Sequence, residues 1–185
     1  MQSTPKRLRY RGGVTVYFDR FPDTLSPSGK GAAGAYAEVL GSLASDGRVE
    51  YGELTYFGDS RYGASGRALR KVLDKAGDAV FRSTLLMPVD VYEGPAMNHS
   101  YHEMVIGHGR CLSTVLLSEK PEKIAEAGYT ADYHRAQFLA TQMALAERGR
   151  YVVAITLKDL EEPTLSALSA FFHEVAHLLK STARR

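Results

Sequence analysis

Two segments near opposite ends of the chain repeat one pattern, and that pattern constrains the fold most. Val14, Val16 and Phe18 alternate with Thr15 and Tyr17, and Tyr151, Val153, Ile155 and Leu157 alternate with polar or smaller neighbours. Alternation with period two puts the apolar residues on one face, so two half-buried strands are predicted. Each leads into a stretch with apolar residues at helical spacing. The first carries Ala32, Tyr36, Val39, Leu40 and Leu43, and the second carries Leu165, Leu168, Phe172, Val175 and Leu179. An apolar sheet face and an apolar helix stripe must cover one another. The expected fold class is therefore α+β: a mainly antiparallel sheet with helices packed on one face, its two strand–helix units being either a ferredoxin-like pseudo-duplication or two units of one domain with no common origin.

The intervening sequence fits this frame. Val49–Phe57 reads as a strand, and Ala64–Ala76 as a helix with a basic face of Arg67, Arg70, Lys71 and Lys75. Ala79–Val91, His99–Ile106 and Cys111–Leu117 read as extended, divided by the turn signals Glu93-Gly94-Pro95 and Gly107-His108-Gly109. A short helix follows Pro121. A longer one starts at the N-cap residue Thr130, carries Phe138, Leu139, Met143 and Leu145, and stops at Gly149. Pro163 opens the terminal helix. At 185 residues one domain is expected, over residues 13–185, behind a basic arm at residues 1–12.

Composition excludes several functions. The apolar runs are too short to span a bilayer, so no membrane partner is expected. A net charge of +2 gives no strong pull towards nucleic acid. The single cysteine, Cys111, excludes an internal disulfide framework and fits a reducing compartment. No apolar stretch follows the basic cluster as it would in a secretory signal, so a cytoplasmic protein is expected.

The sharpest chemical signal is His173-Glu174-Val175-Ala176-His177. Histidines four apart on a helix can share a Zn²⁺, and the glutamate beside the first can act as a general base on metal-bound water. Helical geometry turns His173, Glu174 and His177 away from the apolar stripe. With Phe171, Phe172, Leu178 and Leu179 on either side, these residues resemble the motif helix of zincin metallohydrolases, over about ten residues. That resemblance implies a zinc-dependent hydrolase with a third protein ligand. Most zincins take that ligand from downstream, where Leu178–Arg185 offers none, and the H-x-x-G-x-x-H continuation is absent. Upstream, His102, His108 and Cys111 are the alternatives. Cys111-Leu112-Ser113 is similar to the C-L-S of peptide deformylases, but Gly109-Arg110 stands where that family has E-G. Residues 63–69 also differ from its glycine-rich first motif.

The remaining constellations are less specific. Gly29-Lys30-Gly31-Ala32-Ala33-Gly34 is a literal G-x-G-x-x-G, yet about ten residues, two of them prolines, separate it from the strand a dinucleotide fold would need beside it. Asn98–Glu103 brings His99 and His102 to a strand start, on opposite faces. No serine-nucleophile elbow is present. Lys6, Arg7, Arg9 and Arg11 with Tyr10 could touch phosphates, although a solvated arm has the same composition. Tyrosines recur among the strands and suit a protein–protein surface. The leading expectation is thus a non-catalytic α+β binding or assembly module. It would act through contacts with itself or another protein, as an inhibitor or immunity-type protein or a component of a larger particle, with no cofactor. The alternative is a zinc hydrolase using Glu174 as base and His173, His177 and one of the upstream donors as ligands.

Overall fold

The computed structural model describes residues 7–21, 27, 31–94, 107–121 and 128–182. In chain order the elements are β1 (Arg7–Arg9), β2 (Val14–Tyr17), α1 (Gly31–Ser45), β3 (Tyr51–Phe57), α2 (Ala64–Ala76), a π-helical segment (Gly77–Leu85), β4 (Val89–Gly94), β5 (Cys111–Ser118), α3 (Ala131–Glu147), β6 (Tyr151–Leu157) and α4 (Glu162–Thr182). Six strands form one sheet in the order β1-β2-β6-β5-β3-β4.

The strands from β6 to β4 are mutually parallel, and only the β1–β2–β6 edge is antiparallel. This corrects the expected mainly antiparallel sheet, and the topology does not bear out a ferredoxin-like arrangement. The cause lies in the connections. β3 reaches β4 through α2 and the π-helical segment, and β5 reaches β6 through α3, so each crossover returns the chain to the edge it left. All eight residues of β5 are buried, the mark of a strand covered on both faces.

Helices pack on both faces, not on one. Leu54, Tyr56, Leu112, Leu116, Val153, Ile155 and Leu157 face α1, α2, the π-helical segment and α4. Phe57, Cys111, Val115, Leu117, Val152 and Ala154 face the opposite way, against Phe138 and Leu145 of α3. The result is a mixed α/β sandwich with α3 as the described helix of its second face.

Ala79–Val91, expected as a strand, is largely helical. Gly77 keeps right-handed helical angles (φ −55°, ψ −47°) and carries α2 forward. The burial of Leu73, Ala76, Gly77, Val80 and Phe81 continues the helical period across it. Leu86, in left-handed conformation at φ 54°, ends the run, and β4 starts only at Val89. The arm also has structure: Arg7–Arg9 pairs with β2, Leu8 packs against the core, and the Arg7 guanidinium lies 5.4 Å from the Tyr17 ring centre. Gly12 and Gly13, at φ 65° and 82°, turn the chain between the two strands where it packs on Ala167 of α4. Lys6, Gly29, Lys30, the Asn98–Glu103 group with His99 and His102, the strand expected at His99–Ile106, and residues 122–127 of the helix expected after Pro121 lie outside the described residues. No helix among the described residues is long and apolar enough to cross a membrane.

Candidate functional site

His173, Glu174 and His177 project from the solvent side of α4, while Phe171, Phe172, Val175 and Ala176 are buried beneath them. An open depression on that side is lined by Arg11, Ser166, Ser169, Ala170 and the three motif residues. Tyr10 donates its hydroxyl to Glu174 Oε2 at 2.8 Å, which ties this carboxylate to the chain just before the β1–β2 turn. The described upstream donors lie elsewhere. Cys111 is buried on the sheet face opposite α4, where burial and the nearby Glu53 push its thiol pKa up. His108 precedes β5 at the amino edge of the parallel strands, 3.4 Å from Glu50 and edge-on to Tyr51. Among the described residues no group of three or more His, Cys, Asp or Glu side chains is placed to hold a metal ion.

A second group of polar residues gathers at the carboxyl edge of the parallel strands. From β3 the chain runs to α2 on one face, and from its neighbour β5 it runs to α3 on the other. The two connections diverge, so the carboxyl ends of β3 and β5 flank a topological switch point, where open α/β sheets bind their ligands. The loop after β3 is tightly built. Asp59 Oδ1 accepts from the N–H groups of Arg61 (2.9 Å) and Tyr62 (2.8 Å), and Oδ2 accepts from Gly63 (2.5 Å). Burial opposes charge on Asp59, but these three donors and the nearby Arg67 outweigh it and hold the carboxyl below its ordinary range. Gly66 in the first turn of α2 packs directly on the Asp59 carbonyl, where a Cβ would not fit.

Glu93, next to last in β4, locks the same loop from the side. Its Oε2 accepts from Ser60 N at 2.7 Å and Ser60 Oγ at 2.8 Å, and its Oε1 lies 3.7 Å from Arg61 Nε. Above it comes His134, in the first turn of α3. Thr130 caps that helix by accepting from Tyr133 N, and the His134 ring lies among Tyr129 and Tyr133, with centroids 5.9 and 6.0 Å away. His134 is fully buried, and neither ring nitrogen has a hydrogen-bond partner among the described residues. Burial lowers its pKa, with Glu93 pulling the other way, so the imidazole is neutral at physiological pH. Loss of a buried hydrogen bond costs about 1–3 kcal/mol, so an imidazole left this way is a cost to the fold.

The sequence reading did not single out Asp59, Ser60, Arg61, Glu93 or His134. Glu93-Gly94 was legible only as a turn, and the signal that finds these residues is the parallel order of the strands, which makes their carboxyl ends the place to look.

Below this edge, on the α3 face, Glu53 in mid-β3 is 1% exposed. It accepts from Ser113 Oγ at 2.6 Å and from the Thr55 hydroxyl, beside an Asp90 that takes the Tyr51 hydroxyl. Burial raises its pKa, the Ser113 and Thr55 donors oppose the shift, and Asp90 adds to it. Above the ordinary value of 4.5 the folded state therefore keeps a proton that the unfolded chain has released, and stability falls as pH rises. Glu53→Gln cannot ionise. Its stability relative to wild type should rise with pH above 4.5 and level off below it, as urea unfolding across a pH series would show. A pH-independent difference would mean that Glu53 is ionised in the fold.

No protein-family model and no curated protein matches this chain. Among solved structures it is similar to the crystal structure of a hypothetical protein from Thermus thermophilus, with a TM-score of 0.58 and 18% sequence identity. The likeness covers 80% of this chain but 40% of that one, so this chain spans about 40% of its length. At that identity the likeness concerns the fold alone.

Proposed function

We propose that this chain is a binding domain for a small polar ligand, held at the switch point between β3 and β5. In this reading Glu93 and the Ser60 hydroxyl oxygen are acceptors, Arg61 is the donor, and His134 is the neutral group that can donate or accept. The observation that carries it is the buried His134 imidazole at this edge, which has no hydrogen-bond partner among the described residues. A polar group kept in the interior at a cost to stability is explained by a ligand that satisfies it.

NMR screening of small polar metabolites against the full chain, read on the His134 ring resonances, tests this. Binders should shift those resonances and lose affinity in Glu93→Gln and Arg61→Ala, with His173→Ala unaffected. Binders that leave His134 unmoved, or that survive both substitutions, would remove the basis of the reading.

His134→Leu separates the two roles of the residue. It should abolish binding while stabilising the domain by about 1–3 kcal/mol, because an unsatisfied polar group gives way to an apolar one. The gain should grow in acid. With its folded pKa depressed, His134 makes the wild type lose stability as pH falls below 6.5, since the unfolded chain takes the proton first.

A protein partner is the second reading, favoured by Leu139 and Met143. They lie one turn apart on the outer side of α3, 53% and 44% exposed.

A further inference from the structure

The paired histidines of α4 stand outside the carboxyl-edge site and need their own account. Side chains four apart on a helix are neighbours, with Cβ atoms about 5–6 Å apart, so His173 and His177 can direct one nitrogen each at a shared ion. We propose that they form a two-histidine site for Zn²⁺ or a similar borderline divalent cation, completed by the same pair from a second copy of this chain.

Three observations carry the proposal. Both imidazoles are exposed on the same side of a long, well-buried helix, so the donors are presented on a rigid element. Imidazole suits zinc, copper and nickel, and zinc in a structural site takes four ligands. Among the described residues this chain brings no third or fourth His, Cys, Asp or Glu to the ion.

The residues beside the pair allow a second helix to approach. Ser166, Ser169 and Ala170 line the same open depression and are small, Arg11 also lines it with its guanidinium 5.5 Å from the Tyr10 ring centre, and Glu174 Oε2 accepts from the Tyr10 hydroxyl. A two-fold contact brings the same patch of both chains together, so a donor pair beside the axis becomes four donors around one ion. The proposal is independent of the carboxyl-edge reading, because its residues lie on a different helix and a different face.

The test uses the full chain stripped of metal with a chelator, then titrated with zinc chloride while its mass in solution and bound zinc are measured. The expected result is a doubling of mass at one zinc per two chains, reversed by EDTA. It should be lost in His173→Ala and in His177→Ala and retained in Glu174→Gln. All three positions are exposed, and unchanged circular dichroism would confirm that the variants are folded. A mass that zinc does not change, an association that survives the double histidine variant, or one tightly held zinc on each single chain would overturn the proposal.

Discussion

Glu93→Ala is expected to lower stability by about 2–4 kcal/mol, seen as a lower urea midpoint with an unchanged slope. The magnitude follows from what the carboxylate holds. Its Oε2 takes both the backbone N–H and the hydroxyl of Ser60, at 2.7 and 2.8 Å, on a side chain only 11% exposed. A hydrogen bond to a charged group contributes about 1.5–3 kcal/mol, and because both donors share one carboxylate oxygen the pair adds little more than one such bond, although alanine leaves both without an acceptor. The Arg61 contact adds little, because that guanidinium is 49% exposed and its ion pair is screened by water. Glu93→Gln keeps a carbonyl oxygen in place and should cost about 1 kcal/mol, so it reports on binding in a domain that remains folded. A loss below about 0.5 kcal/mol in the alanine variant would show that Glu93 does not hold the loop after β3, and the proposed site would lose its geometry.

The parts of the fold that were legible in sequence are those fixed by local periodicity. The α4 stripe of Leu165, Leu168, Phe172, Val175 and Leu179 is buried and places His173, Glu174 and His177 in solvent, as spacing alone implied. Thr130 caps α3 as its residue type suggested. Strand direction was not legible, because alternation says which face is buried and nothing about which way a neighbour runs. The informative pattern was the two-sided burial of Cys111–Ser118, where polar Ser113, Thr114 and Ser118 disguise an interior strand. The carboxyl-edge group was hidden for the same reason. Ser60, Glu93 and His134 are far apart in sequence, and only the parallel order of β3, β4 and β5 brings their ends together.

Phe171→Ala should have the largest effect of any single change considered, about 3–5 kcal/mol. Phe171 is fully buried, with ring centroids 5.1 Å from Phe172, 5.5 Å from Tyr10 and 5.7 Å from Tyr36. The cavity cannot close easily, because Tyr36 is held by a 2.6 Å hydrogen bond to Thr114 in the middle of the sheet. The upper part of the range is therefore expected, since the cost grows with the void that remains. Two residues along the same helix the expectation reverses. Without metal, His173→Ala should stay within about 0.5 kcal/mol of wild type, and so should His177→Ala one turn further on, because each exposes its ring to solvent. Urea unfolding of the three variants in chelator makes the comparison directly. If the histidine variants fell with Phe171→Ala, their imidazoles would be holding α4 in place and would not be free to take an ion. If only Phe171→Ala fell, the apolar side of α4 would account for its place in the fold, leaving the H-E-x-x-H side available for ligand chemistry.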